Sequence, residues 1–92
     1  MIQIQDNKII YIDEDNSLYY MVYVDEINDI YFSIYKTNPI DCLKDNFVKE
    51  LPENLEDNQK QKYLIDLLKE CIKNTFNNYL NKIIKSLEKE SF

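Results

Sequence analysis

The side chains of this chain that could do chemistry are carboxylates and tyrosines. Asp13, Glu14 and Asp15 stand together, as do Asp25, Glu26 and Asp29. Closely spaced carboxylates can share acid–base work when their surroundings push one pKa above the other. Both groups fall in polar stretches that read as exposed turns, where nothing separates the pKa values. Asp13-x-Asp15-x-Ser17 has the opening spacing of a calcium loop. It lacks that loop's glycine, and Val24 stands where the bidentate Glu belongs. No metal site is expected. Ser17, Ser33, Ser86 and Ser91 have no His partner, and no Lys lies in an apolar stretch that would depress its pKa.

Absent residue types close off further chemistry. The 92 residues include no Gly, His, Trp, Arg or Ala. A phosphate-cradling loop needs Gly so that the backbone can approach its ligand. Without His the chain has no side chain that ordinarily titrates near neutrality, and the commonest zinc ligand is missing. Without Arg there is no planar fork for a phosphate or a guanine edge. Zero Gly also argues against turns that need left-handed backbone. Lys, Asn, Ile and Tyr in place of Gly, Ala and Arg match the codons of an AT-rich genome. No cofactor and no catalysis are expected.

The elements that position the tyrosines are legible from periodicity. Ile2 to Gln5, Ile9 to Asp13, Leu18 to Val24 and Ile30 to Lys36 alternate or run β-branched and aromatic, with polar turns between them. They predict a four-stranded antiparallel meander. Asn38 can cap a short helix over 38–51, with Pro39 at its first position and Ile40, Leu43, Phe47 and Leu51 at helical spacing. A long helix is predicted over 59–90, with a stripe of Leu64, Leu68, Ile72, Phe76, Leu80, Ile83 and Leu87, widened by Ile65, Cys71, Tyr79 and Ile84. The fold class is α+β in one domain, 1–92, with a sheet half over 1–36.

Two questions about the helix follow. Its stripe drifts as a repeat near 3.5 would, which favours wrapping another helix; a break around Asn74–Asn78 is the alternative. The last turns should overhang the sheet, so Leu80, Ile83, Ile84 and Leu87 predict a homodimer seam or a partner contact. Cys42 and Cys71 both fall at apolar helical positions and read as buried, reduced thiols.

The strand faces give the candidate site. Leu18, Tyr20, Val22 and Val24 share one face of the third strand, and Ile30, Phe32 and Ile34 one face of the fourth; these are core. The opposite face reads Tyr19, Met21, Tyr23, Tyr31, Ser33 and Tyr35, with Tyr11 as a companion. It is either a recognition surface or a second core layer under the short helix or another copy. Tyr combines an apolar ring with a polar tip and is enriched at interfaces.

Charge is divided unevenly. Residues 1–57 hold thirteen acids against four Lys, a net of −9, while 58–92 hold four acids against seven Lys, a net of +3, within a total of −6. Such a field repels nucleic acid and attracts basic surfaces; the Lys residues of the long helix are scattered and make a weak phosphate footprint. The N-terminus has no basic region or apolar run, and no stretch approaches a membrane span. A cytoplasmic location is expected, with no direct nucleic-acid or membrane partner. In type, the chain resembles the small phage- or plasmid-encoded inhibitors of host defence nucleases, of which anti-CRISPR and anti-restriction proteins are examples. The expected function is non-catalytic binding of a basic protein, with carboxylates placed like phosphates and Tyr rings as anchors. A toxin-neutralising immunity protein and a homo-oligomeric accessory protein are the alternatives.

Overall fold

Five strands and one helix make up the computed structural model, which describes residues 1–90, the side chains of 79–84 and 86–90 excepted. In chain order they are β1 (Ile2–Gln5), β2 (Lys8–Asp13), β3 (Leu18–Val24), β4 (Asp29–Thr37), β5 (Ile40–Glu50) and α1 (Asp57–Glu90). Every neighbouring pair of strands is antiparallel and the sheet order is the chain order. The fold is α+β, with the helix on one face of the meander.

The segment 38–51 corrects the expectation of a short helix: it is the fifth strand. Two bulges disguised it. Ile30 pairs with Lys49 but Tyr31 with Phe47, leaving Val48 extra; Ile34 pairs with Lys44 but Tyr35 with Cys42, leaving Leu43 extra. Each extra residue interrupts the two-residue alternation of a strand. Ile40, Leu43 and Phe47 therefore acquire the three- and four-residue spacing of a helix face while lying in an extended chain. Asn38-Pro39, read as a helix start, is the turn between β4 and β5, with a cis peptide bond. Cys42 consequently lies exposed on a strand, while Cys71 is half-buried in the helix; both are free thiols.

Lack of Gly does not keep the chain out of left-handed backbone. Ser17 (φ 54°), Asn28 (φ 64°) and Asn54 (φ 65°) all adopt it. Asn tolerates this region better than most residues with a Cβ. Carboxylates hold the turns beside two of these positions. Asp13 accepts from the Asn16 backbone N–H at 3.2 Å and from its Nδ2 at 2.9 Å. One oxygen of Asp25 accepts from the N–H groups of Ile27 and Asp29 at 3.0 and 2.9 Å.

The helix begins with half of a capping box. The Glu56 carbonyl accepts from Lys60 N–H at 2.8 Å, and the Gln59 side chain reaches back to accept the Glu56 N–H at 3.1 Å. Asp57 in the first turn complements the helix dipole. Lys60 Nζ donates to Asn7 Oδ1 at 2.8 Å and ties this end to the β1–β2 turn. From there Leu64, Leu67 and Leu68 are buried against Ile9, Tyr20, Val22, Val24, Ile30, Phe32 and Ile34. Burying each of these side chains stabilises the fold by about 1.5–3 kcal/mol.

The buried stripe differs from the predicted one. Leu67 belongs to it, and Phe76 is 53% exposed. Leu64, Leu67, Leu68, Cys71 and Ile72 pack against the sheet, a row too short to separate a 3.6-residue from a 3.5-residue repeat. The helix is one unbroken element through Asn74–Asn78. At about 1.5 Å per residue its length is about 50 Å, which matches the 55 Å long axis of the molecule. The predicted seam residues Leu80, Ile83, Ile84 and Leu87 lie outside the described side chains. No helix among the described residues is long and apolar enough to cross a membrane.

Candidate functional site

Strand register sorts the sheet into two faces, because directly paired residues point to the same side. Tyr19 pairs with Tyr35, Met21 with Ser33 and Tyr23 with Tyr31. All six face away from α1, as the alternation predicts, and no other described element covers them. Tyr11 does not join them. It pairs with Tyr20 and Ile2, lies on the helix side, and its ring is 6.2 Å from that of Tyr20. It shares the parity of the buried Ile9, whereas Ile10 and Ile12 have the parity of the open face. Burial is the main cause that pushes the Tyr20 phenol above its ordinary pKa, with the charge of Asp13 adding to it.

The open-face rings form two stacks. Tyr19 and Tyr35 lie 4.9 Å apart at 10°, and Tyr23 and Tyr31 lie 5.3 Å apart at 13°. Phe47 from β5 closes edge-on against Tyr31 at 5.9 Å and 75°. Each such pair adds about 0.5–1.5 kcal/mol beyond area burial. The stacks hold the rings half-buried and rigid, which lowers the entropy lost when a partner lands on them. A shallow groove of about 370 Å³ runs beside the first stack, lined by Gln3 and Lys8 as well as by Ile10, Ile12, Tyr19, Met21 and Tyr35.

Between the stacks lies a polar centre. Tyr23 donates its phenolic proton to Asp45, 3.1 Å to one oxygen and 3.4 Å to the other. Partial burial, then this hydrogen bond, then the carboxylate's charge push the Tyr23 pKa up to about 12. The Tyr35 phenol is also raised, chiefly by the Cys42 thiol beside it. Ser33, in the same row as Asp45, is fully buried, and its hydroxyl has no hydrogen-bond partner among the described residues.

The acidic turns flank this face. Asp13, Glu14 and Asp15 lie at the β2–β3 turn, and Asp25, Glu26 and Asp29 at the β3–β4 turn. The seven residues of β3 separate them, a span of about 23 Å at ~3.3 Å per residue. Asp13 and Asp25 hold their own turns together. Among the described residues no three His, Cys, Asp or Glu side chains gather as a metal site would require. Burial, with Glu70 adding to it, pushes the Cys71 thiol up, away from the thiolate form that a nucleophile needs.

Sequence reasoning missed Ile10, Ile12, Cys42, Asp45 and Phe47. The first two could have been found by continuing the hairpin register from Tyr19 and Met21. The other three were hidden by the bulges of β5. Comparison of the chain with protein families, curated proteins and solved structures finds no match.

Proposed function

We propose that the chain is a non-catalytic binding protein that seats its tyrosine face on a basic surface of a partner protein. One observation carries this reading: four tyrosines and a methionine are held in ordered rows on a sheet face that no described element covers, between two acidic turns. Aromatic anchors within a charged rim are the anatomy of a protein interface, and Tyr is enriched among residues that dominate binding energy. The acidic rim supplies steering toward a cationic target. A nucleic-acid channel of a defence nuclease is such a target, and its blockade would make the chain an anti-defence inhibitor of mobile-element type. A basic toxin neutralised by an immunity protein uses the same physics.

The test is affinity capture with the full chain, followed by competition. A partner of this kind is displaced by DNA or RNA, is released steeply by salt, and is not retained by a Tyr19→Ala/Tyr35→Ala variant that remains folded. A partner held equally by that variant, or indifferent to salt and nucleic acid, would refute the reading.

A further inference from the structure

Aromatic rings on the two sides of this sheet are served differently. On the helix side Lys44 Nζ lies 5.7 Å from the Phe32 ring centre and Lys49 Nζ 5.3 Å from that of Tyr63. Both cations come from β5. On the open side Lys8 stands in register with Tyr23 and lines the groove, but no cation lies over a ring among the described residues. Yet the open side has the richer site: the stacked Tyr23 and Tyr31, the edge of Phe47, and the Asp45 carboxylate drawn close by Tyr23. Tyr23 supplies one proton to Asp45. An ionised carboxylate has about four acceptor positions, so most of its capacity is left for a donor from outside.

We infer that Tyr23, Tyr31, Phe47 and Asp45 form a slot for an arginine side chain of the partner. The inference rests on the proposed binding function and deepens it by naming the group recognised. Charge complementarity and geometry select the occupant. A guanidinium is planar and stacks on a tyrosine face, and its fork reaches a carboxylate with two parallel hydrogen bonds. An ammonium satisfies the charge but neither the stacking nor the fork. The chain has no Arg of its own to fill the slot. Asp45 is also in register with the buried Ser33, so its carboxylate is carried by a paired strand, the edge strand β5, and not by a turn.

The probes are two short Gly-Ser peptides carrying three Arg or three Lys, added to the isotope-labelled full chain and followed by NMR. The Arg peptide should shift the ring signals of Tyr23, Tyr31 and Phe47 together with Asp45. It should bind roughly fivefold more tightly than the Lys peptide. Asp45→Asn should weaken the Arg peptide by about tenfold and remove the preference. Phe47→Leu, at an exposed position, should weaken it without disturbing the Tyr23–Asp45 bond. Equal binding of the two peptides, no effect of Asp45→Asn, no binding at all, or shifts confined to the acidic turns would overturn the slot. The wider binding function would then stand or fall separately, on whether a captured partner still requires Tyr19 and Tyr35.

Discussion

Tyr23 on β3 donates a 3.1 Å hydrogen bond to Asp45 on β5, past the strand that lies between them. The bond couples the pKa of a phenol to the stability of the sheet. Its folded value of about 12 lies above the ordinary 10.0, so the native state favours the protonated phenol. The resulting stability is fully present below about pH 10 and is lost as pH rises through about 12. Tyr23→Phe should cost about 0.5–1.5 kcal/mol at neutral pH. The gap between wild type and variant should close between those two pH values, measured by denaturant unfolding at each pH.

Ser33 has a fully buried hydroxyl without a partner among the described residues. Leaving such a group unsatisfied costs about 1–3 kcal/mol, offset in part by the packing its oxygen provides. Ser33→Ala should leave stability unchanged or raise it by about 1 kcal/mol in urea unfolding. A loss of that size would mean that the hydroxyl is bonded in solution.

Ser17 holds left-handed backbone at φ 54°. The conformation costs about 1–2 kcal/mol for a residue with a Cβ, and Gly would give back about 0.5–1 kcal/mol through its freer unfolded chain. Ser17→Gly should therefore raise the unfolding free energy by about 0.5–1 kcal/mol. Thermal or chemical unfolding of this single variant measures it.

How far the sequence revealed this molecule depended on whether residue spacing survived folding unbroken. Leu18 to Val24 and Ile30 to Lys36 keep an unbroken two-residue register, and their two faces came out as read, except that Ser33 on the open face is fully buried. Where β5 bulges at Leu43 and Val48, the same alternation was cut into helical spacing, and a strand was mistaken for a helix. Asp45 and Phe47 went unseen with it. Tyr11 was placed by residue type and not by register, and the parity of Ile9 would have corrected it. Left-handed turns were argued away from the lack of Gly, although Asn and Ser fill them. Leu67 escaped because the stripe was widened by Ile65 and Cys71 but not as far round the helix as Leu67, which the sheet also buries.

The acidic rim can be tested without disturbing the turns. Asp13 and Asp25 accept turn hydrogen bonds, so Glu14→Gln, Asp15→Asn and Glu26→Gln are the informative substitutions. Combined, they should slow association with a captured partner more than they speed dissociation, and flatten its salt dependence. Surface plasmon resonance at two salt concentrations separates the two rates.

A tyrosine face that serves a partner, and is not core, sets opposite demands on two residues of β4. Tyr35→Ala and Phe32→Ala, on opposite faces of β4, test these demands most directly by urea unfolding in parallel with partner binding. Truncating buried Phe32 should cost about 3–5 kcal/mol of stability. Tyr35→Ala should cost only about the 0.5–1.5 kcal/mol of its stack with Tyr19, while weakening partner binding by about 2 kcal/mol or more. A stability loss at Tyr35 as large as that at Phe32, with affinity unchanged in the molecules that remain folded, would mean that the tyrosine face is core and not a binding surface.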